Sequence, residues 1–561
     1  MPLKVYKSSA GSGKTTTLVN EYLKIALDPA KSFRHILAIT FTNKAANEMK
    51  IRVIETLKDL IDEDREPSQK LLVLINELNL DLSIIRIRAQ KLLSQILHNY
   101  DEFAISTIDS FIHRIIRTFA TDVQLPQNFE VVIDDDDIIP DIIQNLYDKV
   151  GKDKELTKVL VGFVMDEADE ENSYDPTHKF VGFIKHHMQE DGFEHINKLA
   201  KLNFNELSSI ITRLKKKIEF LKSDTIKTAT SAVVLCSENN LEVKDFYQGS
   251  RGILAYFDKI SKFNVSDEKL FPGLKIQETI NDEKWFAAKV NNSTQNSILA
   301  IAPKLTSYFH AIVGKIEEYF FYRLIYSKIY SLALIHEIRS LFIGFTEETG
   351  KVHISEFNKK ISNEIADQPV PFIYERLGRK YRYFLIDEFQ DTSVLQWHNI
   401  LPLIDESLSY GNFNMLVGDA KQAIYRFRSG EVELFSSLPD LYKNDGSELA
   451  LTRQNQFRQE YEEIILSTNW RSHSEIIRFN NDFFRIQTEL LSERTKHIYK
   501  HLEQEIPEND KKGGLVSINF VEAENAEDFN TKKLKSIKHF VDILLEKKFD
   551  NKDICILSRA R

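Results

Sequence analysis

Lys4-Val-Tyr-Lys-Ser-Ser-Ala-Gly-Ser-Gly-Lys-Thr15 opens the chain and decides its fold. Val5 and Tyr6 lie in a short β-like run. Thr16 to Leu27 carries Leu18, Val19, Tyr22, Leu23, Ile25 and Leu27 at helical spacing. The loop between them, Ser8-Ser9-Ala10-Gly11-Ser12-Gly13, has the make-up of a phosphate cradle. Its glycines let backbone N–H groups converge on phosphate oxygens, and the next helix adds its positive N-terminal end. Lys14 would reach the β- and γ-phosphates, and the Thr15 hydroxyl would ligate Mg²⁺. The strict pattern has glycine where this chain has Ser8. A glycine turn before an ordinary helix is the competing reading.

Roughly 370 residues downstream stands a fitting partner, Tyr383-Phe-Leu-Ile-Asp-Glu-Phe-Gln-Asp-Thr392. Tyr383 to Ile386 is a run of β-formers and reads as a buried strand. Asp387 at its end would hold the Mg²⁺. Glu388 would orient or deprotonate an attacking water. Alone, an Asp-Glu pair equally well caps a strand; beside the upstream loop it completes a nucleoside triphosphate site. The distance between the two halves implies a large insertion in the core.

Three further segments narrow the reading. In Ile36-Leu-Ala-Ile-Thr-Phe-Thr-Asn-Lys-Ala-Ala46 a strand runs into polar residues around Phe41. A ring in that setting suits base stacking, worth about 1–3 kcal/mol per base, although core packing is the commoner fate of a lone Phe. In Asn414-Met-Leu-Val-Gly-Asp-Ala-Lys-Gln-Ala-Ile-Tyr-Arg-Phe-Arg-Ser-Gly430, Gln422 follows a strand and a turn, where an amide would sense a γ-phosphate. Tyr425, Arg426, Phe427 and Arg428 then interleave rings with cations, as single-strand binding needs. In Leu466-Ser-Thr-Asn-Trp-Arg-Ser472, Arg471 is placed as a charge clamp on a triphosphate or as an ion pair at a helix start.

These segments, in this order, resemble the UvrD/Rep family of superfamily 1 DNA helicases. The loop at Ser9 to Gly13 and Phe103-Ala-Ile-Ser-Thr-Ile-Asp-Ser-Phe111 are closer to the RecB/AddA branch of helicase–nuclease subunits. The resemblance implies ATP and Mg²⁺ as ligands of Lys14, Thr15, Asp387, Glu388, Gln422 and Arg471. It implies a single-strand groove lined by Phe41, Thr107, Tyr425 and Phe427, with Arg428 coupling groove to nucleotide. It also implies 3′–5′ movement on single-stranded and forked DNA, recombinational repair, and partnership with a second helicase–nuclease subunit. Two departures follow. No glutamine precedes the loop to read adenine. The family's later blocks, a Thr-Ile-His-x-x-Lys-Gly-Leu-Glu segment and a second arginine segment, are absent before Arg561. An arginine acting across a cleft is worth roughly 10³–10⁵ in rate, so the chain reads as the N-terminal part of a longer protein, weakly active alone.

The implied fold is α/β: a RecA-like P-loop core with a parallel sheet, a large mostly helical insertion, and the start of a second RecA-like core. We expect residues 1–125 and 371–474 to form the first core and 126–370 a helical arm with helices over Ile138–Val150, Phe204–Leu221 and Leu305–Phe342. Residues 475–561 would begin the second core, with strands at Val516–Val521 and Ile554–Leu557 around a helix at Lys533–Glu546. At 561 residues, 42% hydrophobic and 28% charged, the composition is that of a soluble multidomain protein. No apolar run reaches membrane length and no signal peptide opens the chain, so a cytoplasmic location without membrane contact is expected. Cys236 and Cys555 lack metal-ligand spacing. A net charge of −10 argues against a protein coated for nucleic acid, but local patches steer DNA. His113, Arg114 and Arg117 would face phosphates or form a solvated helix face. Two other functions remain open: a DNA-binding ATP switch that never unwinds, and a P-loop ATPase acting on protein alone.

Overall fold

The computed structural model describes residues 2–64, 67–121, 125, 128–132, 134–169, 177–188, 190, 204–263, 270–366, 372–444, 446–508 and 512–558. In chain order its strands are β1 (Leu3–Ser8), β2 (Ile36–Thr40), β3 (Ile105–Thr107), β4 (Glu130–Val132), β5 (Lys351–His353), β6 (Tyr383–Ile386), β7 (Asn414–Gly418) and β8 (Tyr461–Leu466). Six of them form one sheet in the order β3-β2-β6-β7-β1-β8, and every neighbouring pair is parallel. Val5 lies between Leu416 and Glu463, and Ala38 between Ile105 and Leu385.

A parallel sheet covered on both faces demands near-continuous apolar strands. β2, β6 and β7 are buried along their whole length. Alternation assigns their side chains. Leu3, Val5, Leu37, Ile39, Phe384, Ile386 and Leu416 join one apolar cluster with the Ile108–Thr118 and Val394–Ser409 helices. Tyr6, Ile36, Ala38, Tyr383, Leu385, Met415 and Val417 join another with the Lys14–Ala26 and Asn43–Ile61 helices. Each fully buried large apolar side chain contributes about 1.5–3 kcal/mol. Because all six strands run one way, their C-terminal ends share one edge. Every segment singled out in the sequence leaves the sheet at that edge, where open α/β sheets bind their ligands.

β4 and β5 pair in parallel, Glu130 with Lys351 and Val132 with His353. The insertion hangs between them and has two apolar cores of its own, one from Val132 to Phe345 and one from Leu221 to Tyr319. Its expected helices appear as Ile139–Asp148, as the first half of Phe204–Glu238, and as two helices, Asn292–Ala333 and Ile335–Thr349. Val352, Phe357 and Ile361, which lie before the arm boundary expected at 370, pack into the sheet's cluster. The strands expected at Val516–Val521 and Ile554–Leu557 are corrected: both segments lack ladder pairing among the described residues. A strand needs a hydrogen-bonding neighbour on at least one side. The helix between them is longer than expected, Ala526–Glu546.

Candidate nucleotide site and its aromatic margin

Ser8 ends β1, and its hydroxyl donates to the Gly418 carbonyl at 2.8 Å. That bond fastens the start of the loop to the end of β7 and gives the serine a use at this position. Gly11 has φ +80°, and a Cβ there would lie 2.5 Å from Asn469 Oδ1 and 3.0 Å from Arg471 Cβ. Only glycine satisfies both the dihedral and the approach. Gly13, with φ +89°, is the N-cap of the Lys14–Ala26 helix, and no side chain caps that end. The first-turn N–H groups, including those of Lys14 and Thr15, are therefore left for an anion. The Lys14 ammonium rests 3.2 Å from Glu388 Oε2.

Asp387 follows β6. Its N–H donates to the Ile39 carbonyl at 2.8 Å, and its Oδ1 accepts from the Glu388 N–H at 2.9 Å. Burial first, then the neighbouring Glu388 charge, push its carboxyl up to about 7 in spite of Lys14. Such a carboxyl favours a cation over a bare charge. Glu388 itself is left-handed, φ +50°, a conformation that costs a non-glycine residue about 1 kcal/mol or more. Lys14 and Gln390 hold it there, the Gln390 Nε2 donating to Glu388 Oε2 at 2.8 Å. Hard oxygen donors, an ammonium and open N–H groups together suit a polyphosphate with a divalent cation.

The role of Gln390 escaped the sequence reading although it lies inside the quoted segment. It is 1% exposed. Its Nε2 also donates to Asp391 Oδ2 at 3.2 Å, and its Oε1 accepts from the Asp419 N–H at 2.9 Å. Burial and the Glu388 charge raise the Asp391 carboxyl to about 6. Asp419 in turn accepts from Lys421 Nζ at 2.8 Å and from Gln422 Nε2 at 2.6 Å. The Gln422 amide is thus engaged within its own turn, one step from Gln390.

Asn469 ties the last segment to the loop. Its Oδ1 accepts from the N–H groups of Arg471 and Ser472 at 2.9 and 3.0 Å. The Trp470 N–H donates to the Gly11 carbonyl at 2.9 Å. Arg471 is exposed beside Gly11, and among the described residues its guanidinium has no carboxylate partner.

Next to this site lies a row of rings. Phe41 and Tyr425 have centroids 4.4 Å apart, and Tyr425 and Phe427 5.9 Å. The Arg428 guanidinium sits 5.8 Å from the Tyr425 ring and 5.7 Å from that of Phe427. Phe427 is 71% exposed, which a core residue would not be. Thr107, expected to line the same groove, ends β3 at the same sheet edge. It is buried, and its hydroxyl caps the Ile108–Thr118 helix by accepting from the Ser110 N–H at 3.2 Å. The three basic residues of that helix each meet an aromatic side chain. His113 stacks on Phe357, Arg114 donates to the Tyr381 hydroxyl at 3.4 Å, and Arg117 lies over the Phe129 ring.

A parallel sheet with a phosphate loop after its first strand and paired carboxylates after β6, one strand removed, defines the P-loop class with a RecA-like core. More narrowly, the chain belongs to the UvrD/REP helicase family: residues 2–443 match the model of the UvrD/REP helicase N-terminal domain. It is similar to bacterial proteins named as ATP-dependent helicase/nuclease subunits. The one from Listeria monocytogenes serotype 4b (strain F2365) is 24% identical over 510 residues, covering 85% of this chain and 37% of the relative. That of Lactobacillus johnsonii is 27% identical over 524 residues, 85% and 38%. That of Thermoanaerobacter pseudethanolicus is 24% identical over 565 residues, 93% and 42%. The chain thus spans about two fifths of the length of these curated relatives. Among the described residues no helix is long and apolar enough to cross a membrane.

Proposed function

We propose that this chain is the ATP-binding region of a DNA helicase that moves 3′–5′ along a single strand and serves break repair within a helicase–nuclease. The observation that carries the reading is one shared sheet edge. On it, Lys14, Asp387, Glu388, Gln422 and Arg471 lie beside the ring row Phe41–Tyr425–Phe427. Lys14 leaves Glu388 for the β- and γ-phosphates of ATP when the nucleotide enters. The freed Glu388 carboxylate then orients the attacking water and accepts its proton. Thr15 and Asp387 would hold the Mg²⁺, which supplies neutralisation of phosphate charge. Gln422, tethered through Asp419 and Gln390, senses the state of Glu388. Arg471 supplies positive charge from beside Gly11. The rings accept bases by stacking, which tolerates any sequence. The partners this function entails are forked DNA and a second helicase–nuclease subunit.

The test is ATP turnover with and without single-stranded DNA, and nucleotide binding by Lys14→Ala. Stimulation by single-stranded DNA and loss of binding in Lys14→Ala are expected. Turnover indifferent to DNA would favour a P-loop ATPase acting on protein alone. Full ATP binding by Lys14→Ala would sink the site assignment altogether.

A further inference from the structure

Gln504 lies outside every recognised segment, yet it touches the phosphate loop. Its Nε2 donates to the Ala10 carbonyl at 3.0 Å, and its Oε1 accepts from Asn469 Nδ2 at 2.7 Å. The carbonyl of Ala10 can only accept, so the amide has one orientation. The backbone of Gln504 is held on both sides. Its N–H donates to Asn481 Oδ1 at 3.0 Å, and its carbonyl accepts from Asn481 Nδ2 at 2.9 Å. Beside it, the Asn469 N–H donates to the Glu505 carbonyl at 2.9 Å, and the Glu505 N–H to the Ser467 carbonyl at 3.0 Å. A side chain anchored this fully does not merely brush the loop.

A trans peptide points its C=O and its N–H in opposite directions. Holding the Ala10 carbonyl outward on Gln504 therefore turns the Gly11 N–H away from Gln504. The Gly11 carbonyl, held outward on Trp470 N–H, likewise turns the Ser12 N–H inward, where it donates to the Ser9 carbonyl at 3.2 Å. Two successive peptides of the loop are thus fixed from the Asn469–Glu505 side. We propose that Gln504 is a positioning residue for the phosphate loop: its amide sets the Ala10–Gly11 peptide so that the loop receives phosphate. This rests on the nucleotide-site reading above. It concerns the phosphates and not the base.

The test uses the full chain with Gln504→Leu and Gln504→Glu, titrated with ATP and, separately, with inorganic tripolyphosphate. Losing one hydrogen bond that orients a binding group should weaken both ligands by about five- to tenfold in Gln504→Leu. Gln504→Glu sets a carboxylate oxygen against the Ala10 carbonyl and should weaken them further. On acidification its protonated carboxyl becomes a donor again, so the ratio of variant to wild-type affinity should recover toward pH 5, which a purely structural defect would not do. Asn481→Ala, which frees the Gln504 backbone without touching the loop, should give a smaller loss of the same sign. Unchanged affinity for both ligands in Gln504→Leu overturns the proposal, whatever the melting temperature does. Weaker ATP with unchanged tripolyphosphate overturns it too, because Gln504 would then read the base. Lys14→Ala separates the two levels. If it binds both ligands normally the site reading fails; if it loses them while Gln504→Leu does not, only the role of Gln504 falls.

Discussion

Asp387→Asn should stabilise the nucleotide-free protein at alkaline pH while removing its response to Mg²⁺. The wild-type carboxyl is moved from 3.8 to about 7 by burial and by Glu388. A displacement of that size corresponds to at most about 4 kcal/mol of unfavourable charge burial. Protein encloses Asp387 on nearly every side, but part of its surface opens to the cleft, and water there screens the charge; about 1–2 kcal/mol is the expected gain. The sign follows from the raised value. Between roughly pH 4 and pH 7 the folded chain holds a proton that the unfolded chain has lost, so wild-type stability falls as pH rises through that window. An asparagine keeps an oxygen for the Glu388 N–H and carries no charge, so it does not follow that fall. Urea or thermal denaturation in EDTA, near pH 8 and near pH 5, measures the difference. The variant should lead near pH 8, and the lead should shrink toward pH 5. Adding Mg²⁺ near pH 8 should stabilise the wild type alone, since a ligand that binds only the folded state shifts the equilibrium by mass action. A variant no more stable than wild type near pH 8, or a lead that persists unchanged at pH 5, would refute the charge-burial account.

Gly11→Ala meets a φ of +80° and an oxygen of Asn469 at 2.5 Å; the dihedral alone costs about 1–2 kcal/mol, and displacing Asn469 also frees the Arg471 and Ser472 N–H groups. ATP binding should be lost, while a nucleotide titration matching wild type would show that the loop adapts. Phe427→Ala should weaken single-stranded DNA by about tenfold or more through lost stacking, with the melting temperature unchanged because the ring is exposed; a fall in melting temperature with intact DNA affinity would make Phe427 a core residue. Thr107→Ala should cost about 1 kcal/mol of stability as a lost helix cap and leave DNA affinity as it was, whereas a selective loss of DNA binding would return Thr107 to the groove.

What the sequence made legible was contiguous. The loop from Ser8 to Thr15, the strands ending at Ile386 and Val417, and the Tyr425–Phe427 rings each lie in one short stretch, where local pattern and chemistry coincide. What stayed hidden depends on approach in space. Gln504 acquires its role only because residues far apart in sequence bring its amide to Ala10. Thr107 looks the same in sequence whether it faces DNA or caps a helix, and the cap is decided by burial. β8 begins Tyr461-Glu462-Glu463, polar because it is an edge strand with only β1 beside it. The Ser355–Ala366 helix is amphipathic like those of the arm, and its packing against the Val394–Ser409 helix is visible only in three dimensions. At Val516–Val521 the β-forming pattern is real, but a pattern forms a strand only beside a partner.

The strand order also explains why the phosphate loop and the carboxylates sit beside the ring row. β7 lies between β6, which delivers the carboxylates, and β1, which delivers the phosphate loop. The turn after β7 must therefore touch both. It does so through Asp419, whose N–H meets Gln390 on the β6 side, while Gly418 before it accepts from Ser8 on the β1 side. The same turn runs on within six residues to Tyr425, which packs on Phe41 after β2. Glu388 is bound at once by Lys14 and by Gln390, so a ligand that takes Lys14 away leaves Gln390 as the remaining clamp on a strained residue. Any adjustment of Gln390 is passed to Asp419 by a buried hydrogen bond with no solvent to absorb it. One short turn is thereby fastened to the carboxylates at one end and to the ring row at the other, and the shared edge of a parallel sheet is what makes that fastening possible.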